Sequence, residues 1–181
     1  MNLSIRTAGA AEANKINALY RRCGYSGNVA PKDIVLLAEL DGEPVGAVRI
    51  CEEDGTNVLR GMYLLPAYHR KGIGSKLLQH GESIMPAGDC FCLPYAHLVG
   101  FYQQIGFLKI EEKELPRMLQ ARLASYRSKG LNVIAMRRLS NHSLDRPAAR
   151  CGGNLIIEPP TKGRALEPIP KPDRGCDGVL G

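Results

Sequence analysis

The 181-residue sequence has no tryptophan, only three phenylalanines and no Cys-x-x-Cys pair. Without clustered aromatics there is nothing on which to stack bases, and the lysines and arginines behind the formal charge of +6 are scattered along the chain. No nucleic-acid partner is therefore expected. The six cysteines come without a secretory signal and in a chain too long to need stapling, so they make neither a disulfide framework nor a zinc site. Cys90 and Cys92 would share one face of a strand as buried thiols. No stretch approaches the roughly 18 unbroken apolar residues of a membrane span. Met1 to Arg6 goes straight into strand-like alternation rather than the apolar block of a signal peptide. These absences predict a soluble, cytoplasmic protein with no membrane partner. His69, His80 and His142 lack metal-ligand spacing, and no metal is expected.

With 44% hydrophobic and 23% charged residues, the chain can bury a substantial core in one domain. Its composition changes near Arg138. From Leu139 to Gly181 there are six prolines, six glycines and no aromatic residue, too little apolar surface to offset chain entropy. The expected organisation is a domain over 1–138 and a disordered or extended tail over 139–181. The triplet Leu155-Ile156-Ile157 reads as loop.

Within the domain, hydrophobic periodicity predicts a strand at Leu3–Arg6 and a helix over Ala10–Cys23, stopped by Gly24. Strands over Ile34–Leu40 and Pro44–Ile50 flank the turn signal Asp41-Gly42, and Asp54-Gly55 leads into a further strand from Asn57 to Leu65. Gly72 to Met85 carries one apolar helical stripe, Asp89–Leu93 is a short buried strand, and strand–helix–strand implies a parallel crossover. A short helix His97–Gln104, a strand Phe107–Ile110, a helix Leu115–Lys129 and a closing strand Leu131–Arg137 complete an α/β domain with a mixed sheet.

The chemistry is concentrated in Met62-Tyr63-Leu64-Leu65-Pro66-Ala67-Tyr68-His69-Arg70-Lys71-Gly72-Ile73-Gly74-Ser75-Lys76, a strand followed by a basic glycine turn that opens a helix. The first helical turn leaves backbone N–H groups unpaired and carries positive potential, so a pyrophosphate can accept several hydrogen bonds there. Gly72 and Gly74 are read as letting the phosphate oxygens approach the backbone, with Arg70 and Lys71 adding charge. The spacing fits neither a Walker loop nor a dinucleotide fingerprint, which would need a third glycine at Leu77.

This stretch resembles the cofactor motif of the GNAT superfamily of acetyl-coenzyme A-dependent N-acyltransferases, Gln/Arg-x-x-Gly-x-Gly/Ala after a bulged strand, with His69 at the Gln/Arg position. Phe101-Tyr102-Gln103-Gln104-Ile105-Gly106-Phe107 is similar to that family's Phe-Tyr-x-x-x-Gly-Phe segment, and Ala96 replaces an Asn often found before it. The resemblance covers about Leu3 to Arg138. It implies a mostly antiparallel sheet whose fourth and fifth strands run parallel and splay apart, with the pantetheine arm of acetyl-coenzyme A lying against Tyr63–Leu65.

By the same resemblance, the cofactor-binding residues would be Leu64, Leu65, Arg70, Lys71, Gly72, Ile73, Gly74 and Ser75. An N–H near Leu64 would polarise the thioester carbonyl, and Tyr102 would protonate the departing thiolate. No carboxylate lies on the strand Asn57–Leu65, so Glu52, Glu53 or an ordered water would take the proton from the amine. Arg49 and Arg60, on neighbouring strands, are candidates to grip a substrate carboxylate. The expected activity is acetyl transfer to a primary amine of a small molecule, an amino acid among the candidates, by a monomer or homodimer. Acetylation of protein N-termini or lysines, and a non-catalytic module that senses acetyl-coenzyme A, are the alternatives.

Overall fold

The computed structural model describes residues 2–140. The tail beyond Ser140, including His142 and Leu155–Ile157, lies outside the described residues. Seven strands form one sheet: β1 (Leu3–Thr7), β2 (Ile34–Leu40), β3 (Glu43–Glu53), β4 (Thr56–Leu64), β5 (Cys90–Cys92), β6 (Leu108–Lys109) and β7 (Met136–Arg138). Their spatial order is β1-β2-β3-β4-β5-β7-β6. Every pairing is antiparallel except β4 with β5, as the strand–helix–strand crossover requires.

Helices cover both faces. On one, α2 (Ile73–Ser83) and α3 (Val99–Gln103) bury Ile73, Leu77, Leu78 and Tyr102 against Leu36, Val48, Leu59 and Met62. On the other, α1 (Ala13–Arg22) sets Ile16, Leu19 and Tyr20 against Val35, Leu37, Ala47 and Tyr63. Beside it, α4 (Arg117–Ser128) sets Leu119, Leu123 and Tyr126 against Val58, Phe91 and Val133. Coverage on both faces explains why β2 is apolar almost throughout instead of alternating.

Several boundaries differ from the sequence expectation; β3 runs on past Ile50 to Glu53, so Glu52 and Glu53 lie at its end. The first helix opens as a tighter 3-10 turn over Ala10–Glu12, where the Gly9 amide donates to Glu12 Oε2 at 2.8 Å and satisfies one orphan donor of the helix start. The helix expected from His97 begins as a 3-10 turn over Ala96–Leu98. The closing strand is shorter than Leu131–Arg137, because only Met136–Arg138 pairs regularly; the chain before it makes a single bridge, Val133 to Tyr95. No helix among the described residues is long and apolar enough to cross a membrane.

Candidate functional site

The site is built on β4, which carries two irregularities. On its β3 side, Ala47 faces Tyr63 and Arg49 faces Arg60, so Gly61 and Met62 together oppose Val48, a β-bulge. Gly61 has φ +64°, and a Cβ there would lie 2.8 Å from Tyr20 Oη and 3.1 Å from Arg49 Nε. Conformation and packing both demand glycine. The bulge resets the side-chain alternation, so Leu59 and Met62 both face α2 while Tyr63 faces α1.

On its other side β4 soon loses its partner. Pairing with β5 stops at Val58–Phe91, and β5 continues by bonding toward β7: Ile134 N–H donates to the Pro94 carbonyl (3.0 Å) and Ala96 N–H to the Asn132 carbonyl (2.9 Å). The last residues of β4 are thereby separated from β5, leaving a wedge beside Arg60–Leu64. Unpaired strand backbone is a template for an extended, amide-bearing ligand.

At the C-terminal end of β4 the chain makes a 3-10 turn, Pro66–Tyr68, then enters α2 through two left-handed residues, Arg70 (φ 58°) and Gly72 (φ 75°). Lys76 is the first residue whose N–H returns to this helix start, at the Gly72 carbonyl (3.1 Å). The amides of Ile73, Gly74 and Ser75 are those a first turn leaves for an outside acceptor. A Cβ on Gly72 would meet nothing within 4 Å, so the turn is uncrowded at this residue. Arg70 and Lys71 are exposed, and the Lys71 ammonium stands 5.3 Å from the Tyr68 ring centroid.

Gly74 corrects the reading of the second glycine. Its Cβ would lie 3.4 Å from Leu64, Met62 and Phe101 side-chain atoms, so small size at this position serves the packing of α2 on β4. His69 gains a defined role as well: its Nε2–H donates to the Leu64 carbonyl at 2.9 Å, tying the turn to the last residue of β4. A carbonyl only accepts, so Nε2 carries the proton.

Tyr102 is fully buried beside the α2 face, edge-on to Phe101 (5.2 Å) and Phe107 (6.2 Å). Burial first, then the neighbouring Cys92 and Tyr63, push its pKa well above the ordinary tyrosine value, so the hydroxyl keeps its proton. Cys90 and Cys92 are both fully buried. Burial raises the Cys90 pKa to about 12, which leaves an inert thiol. His97 stacks on Tyr95. Among the described residues no group of three or more His, Cys, Asp or Glu could hold a metal.

The two arginines expected to act together are directly opposite in register, but their side chains part. Arg49 is 4% exposed. Its guanidinium is bonded to Asp33 Oδ2 (3.0 Å), Tyr25 Oη (2.8 Å) and the Asn28 carbonyl. It lies 5.9 and 5.7 Å from the Tyr20 and Tyr25 ring centroids. Arg60 instead donates to Glu53 Oε1 at 2.8 Å, and Glu53 Oε2 accepts from Arg122 at 2.6 Å. Burial works to raise the Glu53 pKa, but the hydrogen bonds from Arg122 and Arg60 outweigh it and hold the carboxyl below its ordinary value. Glu53 is thus a bound counter-ion; Glu52 is exposed. Nothing in the sequence marked Arg122 or Tyr25, because only the docking of α4 and of the α1–β2 loop on the sheet brings them here. A hollow of about 360 Å³ lined by Arg22, Glu43, Val45, Leu65 and Tyr68 opens beside the Pro66–Tyr68 turn and contains none of the catalytic candidates.

A mixed sheet with a parallel pair that opens into a wedge, next to a left-handed glycine turn at a helix start, defines an α/β fold with a groove along the end of β4. Residues 31–109 match the acetyltransferase (GNAT) domain. No curated protein matches the sequence. N-acetylglutamate synthase from Neisseria gonorrhoeae, complexed with coenzyme A and N-acetyl-glutamate, is similar in structure at 22% identity and TM-score 0.57, over 78% of this chain and 36% of that one. An acetyltransferase of the GNAT family from Streptococcus pneumoniae gives 18% identity and TM-score 0.57, over 77% and 100%. A spermidine N-acetyltransferase chimera from Vibrio cholerae and hSSAT gives 15% and 0.51, over 81% and 100%. At these identities the likeness is one of fold. The chain spans about a third of the synthase's length.

Proposed function

We propose that this domain transfers the acetyl group of acetyl-coenzyme A directly to a primary amine of a small molecule, with amino acids as the favoured class. The observation that carries this is the loss of the β5 partner after Val58 on the same strand that runs into the uncrowded Gly72 turn. One groove therefore offers strand backbone to a pantetheine arm and helix-start amides to its pyrophosphate.

Acetyl-coenzyme A supplies an activated thioester to this groove. The amides of Ile73, Gly74 and Ser75, with Gly72 and the charges of Arg70 and Lys71, hold the phosphates. The end of β4 at Leu64 presents its edge to the wedge, and an N–H near Leu64 polarises the thioester carbonyl; the Leu65 N–H is already bonded to the Val45 carbonyl (2.9 Å). Tyr102, protonated in its buried setting, gives its proton to the leaving thiolate. The attacking amine must be neutral. With Glu53 held by two arginines, its proton passes to an ordered water or to the exposed Glu52.

The amino-acid class is supported by Arg60 on β4, which shares Glu53 with Arg122 of α4, and by the ligand of the synthase complex. The spermidine acetyltransferase marks the opposite acceptor charge on the same fold. Thermal melting with and without coenzyme A, then thiol release from acetyl-coenzyme A with amino acids, polyamines and peptides, tests the proposal. Saturation a hundredfold above Kd should stabilise the protein by about 2.7 kcal/mol, and amino acids should release thiol. Release with peptides alone, or binding without release across every amine, would overturn it.

A further inference from the structure

Arg60 and Arg122 converge from elements far apart in the chain. Arg60 stands on β4 two residues past its last pair with β5, at the mouth of the wedge, and Arg122 lies on α4 one residue before the buried Leu123. They meet on Glu53, one guanidinium nitrogen to each carboxylate oxygen. All three side chains are partly exposed, at 24%, 25% and 20%. Two cations on one anion leave a positive charge that no described side chain neutralises. Each guanidinium commits one nitrogen to Glu53. A simple surface pair needs one arginine. Two, half-withdrawn from water beside the groove, concentrate positive charge where screening is reduced.

Resting on the amine-acetylation reading above, we propose that Arg60 and Arg122 form an anion subsite that takes a carboxylate of the acceptor, so that the substrate is an amino-carboxylate and not a polyamine. Arg122 fills the place that register alone would give to Arg49, whose guanidinium is buried and committed to Asp33. Glu53 holds the two planar forks together and keeps the pair from repelling, so the subsite is shaped before the acceptor arrives. A carboxylate bridging both guanidinium groups would anchor the acceptor at the wedge mouth, where its amine can reach a thioester lying along β4. A cationic acceptor would meet like charge.

The experiment measures thiol release by the full chain, with acetyl-coenzyme A saturating. Each acceptor is paired with its carboxamide: amino acids against amino-acid amides, and aspartate and glutamate against asparagine and glutamine. Carboxylates should be preferred at least tenfold. Arg122→Gln should raise the carboxylate KM roughly 10- to 100-fold, the range expected for one charged hydrogen bond. It should leave the KM for acetyl-coenzyme A and for carboxamides unchanged. Arg122→Lys, which keeps charge but not the fork, should fall between and covers the case of a Gln variant that does not fold. Glu53→Gln, which removes the bridge that shapes the forks, should raise the carboxylate KM; a collapse of kcat instead would make Glu53 the base and overturn its counter-ion role. Equal KM changes for acids and amides in Arg122→Gln, or no preference in the unaltered protein, overturn the subsite. If no amine releases thiol, calorimetric titration of the same carboxylates into the coenzyme A-loaded protein separates the two ideas. Binding that Arg122→Gln abolishes upholds the subsite and sinks only the acetylation reading, whereas no binding sinks the subsite too.

Discussion

Arg49 and Arg60 face each other across β3 and β4, yet one is tied to Asp33 at 3.0 Å and the other to Glu53 at 2.8 Å. The difference is depth. Arg49 points under α1 into the aromatic pocket of Tyr20, Tyr25 and Tyr63, and there it pins the loop between α1 and β2 through Tyr25, Asn28 and Asp33. Replacing Arg49 by Gln leaves Asp33 buried without its cation and should cost about 3 kcal/mol or more. Urea unfolding measures this, and a loss below about 1 kcal/mol, the size of an exposed pair, contradicts the pin.

The two glycines of the turn should respond differently. Gly72→Ala forces a side chain into the left-handed region at φ 75°, costing about 1–2 kcal/mol, and places a methyl at the turn. Coenzyme A affinity should fall at least tenfold. Gly74→Ala meets only ordinary contacts at 3.4 Å and gains about 1 kcal/mol of helix propensity, so stability and affinity should hold or improve slightly. Melting curves with coenzyme A read both; equal damage from the two changes would disprove the assignment of separate roles.

Tyr102→Phe removes the proposed acid while keeping the ring packed between Phe101 and Phe107. The expected result is a loss of turnover on the order of 10²-fold with cofactor affinity within a factor of about three. Comparable falls in kcat and in coenzyme A binding would assign Tyr102 to packing.

Acid should destabilise the fold over a defined window. Hydrogen bonds from Arg6, then from the Gly9 amide, lower the Glu12 pKa from 4.5 to about 2; Lys15 and Arg6 lower that of Glu39. Native pKa values below the unfolded ones mean that this stabilisation is fully present above about pH 4.5 and is lost as pH falls toward 2. Melting temperatures should drop across that interval, and Arg6→Gln should flatten the drop. A pH-independent melting temperature between 5 and 3 in the unaltered protein refutes the linkage.

Local signals in the chain were enough for the strands, helices and hairpins: the Asp-Gly turns, the apolar stripe of α2 and the basic glycine turn are decided by neighbours in sequence, through steric limits on φ and through helix and strand periodicity. Gly72 was readable as a turn glycine at a helix start, and the structure adds that its backbone is left-handed, φ 75°. Gly74, Arg49 and Arg122 were not readable, because their roles depend on what other elements bring to them. Met62 and Phe101 crowd Gly74, Asp33 captures Arg49, and α4 delivers Arg122 to Glu53 across 69 positions of chain. Side-chain partnership in a sheet protein is set by register and helix docking, long-range choices that no local pattern encodes.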